Sequence, residues 1–105
     1  MGTHMAQLLV LYNSPADPAA FDRYYRETHI PLAKKMPGLR SYSVSRGPVQ
    51  APMGTAPHLV AVLDFDSMAG LSAALNSPEG QAAAADVPNF ASGGATILIY
   101  DSQSV

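Results

Sequence analysis

The chain has 105 residues, of which 48% are hydrophobic and 13% are charged, a composition that favours one folded domain over a disordered segment. Its formal net charge is -2, and its six Lys and Arg residues form no stripe, which excludes the basic surface typical of nucleic-acid binders. Because the chain has no cysteine, a disulfide scaffold, a thiolate nucleophile and a cysteine metal site are excluded.

The N-terminal segment shows no pattern of a targeting signal. No run approaches the roughly 18 consecutive apolar residues of a membrane span, and no basic stretch precedes a long apolar one. We therefore expect a cytoplasmic protein without membrane contact. Residues 1–5, MGTHM, are typical of a cloning remnant with Met5 as the natural start, so a single domain is predicted over residues 6–105.

The first part of this domain predicts a strand followed by a helix. Residues 6–12, AQLLVLY, are apolar and precede a cluster of turn residues, as a buried strand does. Asp17 suits an N-cap and Pro18 the first helical position, so a helix is predicted over residues 18–36. On a helical wheel, its apolar face comprises Phe21, Tyr25, Thr28, Leu32 and Met36, with His29 at the edge.

Pro31 lies inside this predicted helix. A proline has no N–H to donate, and its ring crowds the carbonyl of Glu27, which costs about 3 kcal/mol in a helix interior. We therefore expect the helix to kink or loosen between Glu27 and His29, or its last turn to be a separate short helix. Pro37 and Gly38 should end it.

The rest of the chain predicts three further strands and a second helix in two parts. Residues 39–47 alternate apolar and polar positions, which favours a strand with one exposed face. Asp66 or Ser67 is the expected cap of the next helix. A proline-rich loop is predicted at residues 48–57 and a strand apolar on both sides at 58–66. Two short helices follow at 68–76 and 77–86, then a loop at 87–94 and a last strand at 95–100.

The element order β-α-β-β-α-β is that of the ferredoxin-like split βαβ arrangement. We therefore predict an α+β fold with a four-stranded antiparallel sheet and its helices on one face. Three of the strands, at residues 6–12, 58–66 and 95–100, are apolar on both sides, so the face without helices would expose more apolar surface than a monomer usually carries. A homodimer whose two sheets face each other is the expected solution.

Two stretches of the sequence resemble the EthD family. Residues 17–47 carry an Asp-Pro pair, a Tyr-Tyr pair, a Thr-His-x-Pro-Leu element and a Pro-Gly-Leu element. Residues 65–100 carry Phe-Asp-Ser, Ser-Pro-Glu-Gly, Asp-x-x-Asn-Phe and Gly-Gly elements that are similar to those of the same family. The resemblance spans nearly the whole chain after Met5, apart from the loop at residues 48–57.

The resemblance implies a dimeric α+β barrel. The family is named for a gene of ethyl tert-butyl ether degradation whose protein has no settled reaction. Proteins of the same fold include muconolactone isomerases, cofactor-independent monooxygenases, haem-binding peroxidases and chlorite dismutases. A fold alone does not choose among these reactions.

His29 is the main candidate for chemistry. It follows Tyr25 by one helical turn, and the loosening at Pro31 would open a cleft between helix and sheet beside it. A histidine there can exchange a proton near neutral pH, and Tyr25 can orient it or donate to a developing oxyanion. We therefore predict His29 and Tyr25 as catalytic residues. The alternative is a structural histidine that bonds the backbone at the kink.

The other polar and aromatic candidates have either structural or substrate-binding roles in this prediction. His58 is expected as a solvated strand end, and Asp66 and Asp86 are expected as acids at helix ends. The less favoured alternatives are that His58 lines a pocket and that Asp64 and Asp66, on one strand face, are paired acids. Two separated histidines without a carboxylate pattern do not make a metal site, so no metal is predicted. The predicted substrate-binding residues are Tyr12, Thr28, Leu32, Asn89 and Phe90. The alternative for Asn89 and Phe90 is that they fix the turn at Gly93-Gly94.

Two functions fit these residues. The first is a small-molecule enzyme of catabolism or biosynthesis, a cofactor-independent isomerase, lyase or oxidase that acts on an apolar carbonyl compound with His29 as acid/base. The second is a non-catalytic dimer that carries a hydrophobic intermediate to a partner oxidase. No cofactor is expected, and a haem bound by His29 is the less favoured alternative.

Overall fold

Four strands form a single antiparallel sheet in the computed structural model, which describes residues 4–105. The strands are β1 His4–Tyr12, β2 Ser41–Val44, β3 Leu59–Phe65 and β4 Ala95–Gln103. Their order in the sheet is β2-β3-β1-β4, which places β1 between β3 and β4. With helices after β1 and after β3, this is the predicted ferredoxin-like α+β fold.

Strand β1 begins earlier than residue 6. His4 and Met5 pair with Gln103 and Ser102 of β4, so two residues of the expected cloning remnant belong to the sheet. Residues 1–3 of that segment lie outside the described residues.

The predicted division of the second helix is confirmed. The four α-helices are α1 Pro18–Tyr24, α2 Ile30–Ala33, α3 Met68–Asn76 and α4 Pro78–Asp86. Ser77 separates α3 from α4, because its hydroxyl donates to the carbonyl of Ala74 (2.6 Å) and accepts from the N–H of Gly80 (3.0 Å). No helix within residues 4–105 has the length and apolar character needed to cross a membrane.

A π-turn over Tyr25–His29 joins α1 to α2. The N–H of Ile30 donates to the carbonyl of Tyr25, five residues back, where an α-helix would bond four residues back. This wide turn directly precedes Pro31, which has no N–H for the helical ladder. The loosening expected between Glu27 and His29 is therefore confirmed.

The π-turn changes which side chains face the core. The buried positions of the segment are Phe21, Tyr25, His29, Ala33 and Met36. Three of the four spacings between successive buried positions are four residues, and the last is three. An α-helix has 3.6 residues per turn, and the wider π-turn accounts for the longer spacing. The predicted apolar face was wrong at two positions, since Thr28 is exposed and Leu32 is only half-buried.

The helices cover one side of the sheet, and the core lies between them. Tyr12, Leu63 and Phe65 are buried on this covered side. The other side, which we call the open side, carries Leu9, Leu11, Val60, Val62 and Leu98. Strand β4 is uncovered on both sides: Leu98 and Ile99 point in opposite directions, yet they are 45% and 44% exposed.

Candidate active site

His29 is buried and bonded to an acid from a distant part of the chain. Its Nδ1 lies 3.0 Å from Oδ2 of Asp86, and the two side chains are only 6% and 7% exposed. The π-turn supplies His29, and Asp86 is the last residue of α4. The pair therefore ties the first helical segment to α4.

Asp86 accepts two further hydrogen bonds. The Tyr24 hydroxyl donates to its Oδ1 at 2.5 Å, and Nδ2 of Asn89 donates to the same oxygen at 3.1 Å. Burial alone would raise the pKa of Asp86, but the hydrogen bonds from Tyr24, Asn89 and His29 outweigh burial and lower that pKa below its usual value. The carboxyl group is therefore ionised at neutral pH.

The ionised Asp86 decides the tautomer of His29. Burial lowers the pKa of His29 below 6.5, and the favourable contact with Asp86 offsets only part of that effect, so the imidazole is neutral at pH 7. A carboxylate can only accept hydrogen bonds, so the ring proton lies on Nδ1. Nε2 then keeps a lone pair and is the basic atom of the pair.

The Ser-Pro-Glu-Gly element places Asp86. Ser77 caps α4, and Pro78 occupies its first turn. Gly80 packs so closely on α3 that a Cβ there would overlap the carbonyl oxygen of Ala74. This close contact fixes α4 against α3, and the helix then ends with the side chain of Asp86 buried.

Three tyrosine hydroxyls lie near His29. The hydroxyl oxygens of Tyr25 and Tyr42 are 2.5 Å apart, and the rings of Tyr25 and Tyr12 meet edge-on with centroids 5.5 Å apart. Burial is the main cause that raises the pKa of all three, so they are neutral hydrogen-bond donors at physiological pH. The orienting partner of His29 is therefore Asp86, while the hydroxyl of Tyr25 bonds that of Tyr42.

A cavity of about 70 Å³ lies among these groups and the covered side of the sheet. We call it the His29 cavity, and its polar lining comes from His29, Tyr12, Tyr25 and Tyr42. Ile97 also lines the cavity and is 52% exposed, so the cavity reaches solvent beside β4. The remaining lining residues are Leu8, Val10, Ala33, Met36, Ala61, Leu63, Leu75, Gly80, Ala83, Ala84 and Val87.

The His29 cavity contains three of the predicted site residues. His29, Tyr25 and Tyr12 line it, whereas Thr28 and Leu32 do not, because the π-turn points them away from the buried face. Whether any of these residues binds a substrate stays a prediction.

Asn89 and Phe90, also predicted to bind substrate, support the His29–Asp86 pair. Asn89 is exposed and donates to Asp86. Phe90 is buried, and its ring centroid lies 4.7 Å from that of His29. Neither residue lines the His29 cavity.

Sequence reasoning missed Asp86, Tyr24 and Tyr42 as parts of this site. Asp86 is 57 residues from His29, and no local spacing links the two. One signal was present in the Asp-x-x-Asn-Phe element. Its Asp bonds His29, its Asn bonds that Asp, and its Phe packs on the imidazole ring.

The other titratable candidates have partners of their own. Asp66 forms a two-point ion pair with Arg40 at 2.9 and 2.6 Å, and Ser67 caps α3. His58 is not a freely solvated strand end, because its Nε2 lies 2.8 Å from Oδ1 of Asp22.

Within residues 4–105, no group of three His, Asp or Glu side chains could hold a metal ion. Whether His29 binds a haem stays a prediction.

The EthD domain family matches residues 13–94 of the chain. This chain belongs to the EthD family. It is 44% identical over 103 residues to an uncharacterized 11.0 kDa protein in the thcB-thcC intergenic region of Rhodococcus erythropolis, and the match covers 96% of this chain and 98% of that protein.

Solved structures share the fold. An EthD family protein of Bacillus halodurans has a TM-score of 0.82 and 38% identity, over 91% of this chain and 96% of that one. A dimeric ferredoxin-like protein of Thermobifida fusca has a TM-score of 0.69 and 15% identity, over 93% and 91%. SnoaB, a cofactor-independent oxygenase of Streptomyces nogalater, has a TM-score of 0.64 and 13% identity, over 97% and 95%. The last two are likenesses of fold.

Proposed function

We propose that the protein is a cofactor-independent enzyme in which His29 acts as a general base on an apolar carbonyl compound. The observation that carries the proposal is the buried His29–Asp86 pair beside an apolar cavity. A neutral imidazole held through Nδ1 by a carboxylate keeps a basic Nε2, and a positioned base of this kind suits proton abstraction near neutral pH.

The proposed first step removes a proton from the carbon beside the carbonyl group. Nε2 of His29 takes the proton, and the electron pair of the broken C–H bond forms an enolate. A hydroxyl of Tyr25 or Tyr42 donates to the enolate oxygen, because these neutral phenols are held in place by each other. Return of the proton to another carbon is an isomerisation, loss of a neighbouring group is an elimination, and reaction of the enolate with O₂ is an oxidation.

The size of the His29 cavity limits what enters it. A volume of about 70 Å³ takes the reacting end of a compound and not a whole molecule. The remainder would extend past the exposed side chain of Ile97 towards solvent. This favours a substrate whose carbonyl group lies near one end of an apolar body.

Hydrogen exchange at an activated carbon tests the base role before the substrate is known. The apolar ketone 2-tetralone is incubated with the protein in D₂O, and its deuterium uptake is followed by NMR. We expect catalysed exchange that is about 100-fold slower in His29→Gln, since general base catalysis contributes about 10²–10⁴-fold. Glu27→Gln, at an exposed residue of the same turn that lines neither cavity, is the control and should keep the wild-type rate. Equal exchange in wild type and His29→Gln would contradict the proposal.

A hydrophobic carrier for a partner oxidase is the second candidate. It is favoured by the apolar lining of the His29 cavity, whose polar members already bond one another or Asp86. A carrier would bind 2-tetralone equally well in wild type and His29→Gln, as measured by ligand-observed NMR, and neither protein would speed its deuterium uptake.

We also infer that the protein is a homodimer joined through the open side of the sheet. The aliphatic side chains of the open side are not covered by any element of residues 4–105, and a fold relative is dimeric. Burial of such a face against a second copy is a common solution for a one-layer sheet.

Two neighbouring residues of β4 test this interface. Leu98 and Ile99 have nearly the same exposure but point to opposite sides of the sheet. Leu98→Lys should therefore convert the dimer to a monomer in sedimentation analysis, and Ile99→Lys should leave it dimeric. A monomeric wild type, or the reverse pattern in the two variants, would refute the proposed interface.

A further inference from the structure

A second and larger cavity, of about 380 Å³, lies beside the π-turn. We call it the Arg26 groove. Its volume falls within the range of small-molecule sites, which is about 300–1,000 Å³. Its polar wall includes Asp22, Arg26 and His58, and its apolar wall includes Ile30, Val44 and Leu59.

Arg26 is the unpaired cation of this groove. The side chain is exposed, and its guanidinium bonds none of residues 4–105. On a helix, the natural partner of Arg26 would be Asp22, four residues earlier. The carboxylate of Asp22 instead accepts a hydrogen bond from Nε2 of His58 at 2.8 Å.

His58 is held rigidly at the wall of the groove. Its backbone N–H donates to the carbonyl of Tyr12 at 2.7 Å, and its ring meets Phe21 edge-on with centroids 4.9 Å apart. Its ring nitrogen Nε2 is also bonded to Oδ1 of Asp22 at 2.8 Å. A polar group fixed at three points needs little reordering when a ligand arrives.

We propose that the Arg26 groove binds a small apolar molecule that carries one carboxylate group. The guanidinium of Arg26 offers two parallel N–H donors, which match the two oxygens of a carboxylate. The side chains of Ile30, Val44 and Leu59 bury the apolar body of the same molecule. Asp22 forms no ion pair with Arg26, because its carboxylate bonds His58.

This site is separate from the proposed base. Tyr25 lines both the Arg26 groove and the His29 cavity, and none of the other residues that line the groove lines the cavity. Carboxylate binding in the Arg26 groove is therefore independent of the proposed role of His29 as a base.

NMR titration of the ¹⁵N-labelled protein with 3-phenylpropionate tests the proposal. We expect the backbone amide signals of Arg26, Ser45 and Gly47 to shift, while those of Gly80 and Ala84, at the His29 cavity, stay in place. The uncharged 3-phenylpropanamide should bind roughly tenfold more weakly, because it lacks the charge that strengthens a hydrogen bond to Arg26.

Arg26→Gln provides the decisive variant, and Arg23→Gln is its matched control. Arg23 is exposed on the same helical segment and lines neither cavity. We expect 3-phenylpropionate to bind roughly tenfold more weakly to Arg26→Gln and with unchanged affinity to Arg23→Gln. The proposal would be overturned by unchanged binding in Arg26→Gln or by equal affinity for the acid and the amide. It would also be overturned by signal shifts at Gly80 and Ala84 in place of the groove residues, or by the absence of binding to the wild type.

Discussion

The two histidine–aspartate pairs of this molecule have similar geometry and very different surroundings. His29 and Asp86 are 3.0 Å apart with side chains 6% and 7% exposed, while His58 and Asp22 are 2.8 Å apart with side chains 20% and 52% exposed. The distance between the partners therefore says little about their function. Burial decides how much of the charge must be compensated by the protein itself.

The two aspartates show this difference in their partners. Asp86 accepts hydrogen bonds from Tyr24, His29 and Asn89, whereas the carboxylate of Asp22 bonds only His58 among the described residues. Water can satisfy the remaining acceptor sites of an exposed carboxylate but reaches a buried one poorly. The buried pair is thereby suited to hold one base in one tautomer, and the exposed pair leaves Arg26 free for a ligand.

The largest expected effect comes from removing the acid of each pair. Asp86→Ala leaves three donors without their acceptor, so the free energy of unfolding should fall by about 3 kcal/mol. Asp22→Ala breaks an exposed contact and should cost less than about 1 kcal/mol. Urea unfolding of both variants measures the difference. Equal losses in the two variants would mean that burial does not distinguish the pairs.

Tyr24→Phe should weaken the buried pair less than Asp86→Ala. It removes one donor to Asp86 and keeps the ring that stacks on Phe90 with centroids 5.5 Å apart. Because this hydrogen bond helps to lower the pKa of Asp86, that pKa should rise in the variant. A ¹³C NMR titration of the Asp86 carboxyl group measures the rise, and an unchanged or lower pKa would contradict the assigned bond.

The buried pair should also make the fold sensitive to acid. Burial lowers the pKa of folded His29 below the 6.5 of the unfolded chain, so the unfolded state binds more protons as the pH falls below 6.5. The free energy of unfolding should therefore decrease gradually from pH 7 to pH 5, and the lowered pKa of Asp86 adds a loss of the same sign near pH 3.8 and below. His29→Gln should flatten the pH 5–7 part of the curve in urea unfolding. A wild type that gains stability from pH 7 to pH 5, relative to His29→Gln, would contradict this sign.

The fold could be predicted from the sequence because its signals are local. Strand and helix periodicity, the cap at Asp17 and the helix start at Ser77-Pro78 each act within a few residues. They predicted the element order, the cap and the division of the second helix correctly, but the helical period placed Thr28 and Leu32 wrongly. The position of Pro31 also predicted a loosened helix. The type of loosening could not be read, because a kink, a break and a π-turn all accommodate a missing N–H.

The candidate site was predicted only in part, because its geometry depends on the π-turn at Tyr25–His29, which the sequence did not distinguish from a kink or a break. The π-turn moves His29 from the edge of the apolar face to its centre and turns Thr28 outwards. The partner of His29 depends on how α4 packs on α3. The one sequence signal for this contact is Gly80, the glycine of the Ser-Pro-Glu-Gly element. Residues that act locally were therefore found, and Asp86 was not.

The smallest expected effect concerns Asn89, the exposed donor to Asp86. Asn89→Ala removes a 3.1 Å hydrogen bond, but Oδ1 of Asp86 keeps the shorter bond from Tyr24 at 2.5 Å, so the free energy of unfolding should fall by less than about 1 kcal/mol. Gln81→Ala, which removes another exposed amide donor at 3.2 Å from the carbonyl of Asn76, is the matched control. Urea unfolding measures both variants, and we expect similar small losses. A loss in Asn89→Ala as large as that in Asp86→Ala would mean that the bond from Tyr24 does not keep Asp86 in place without Asn89.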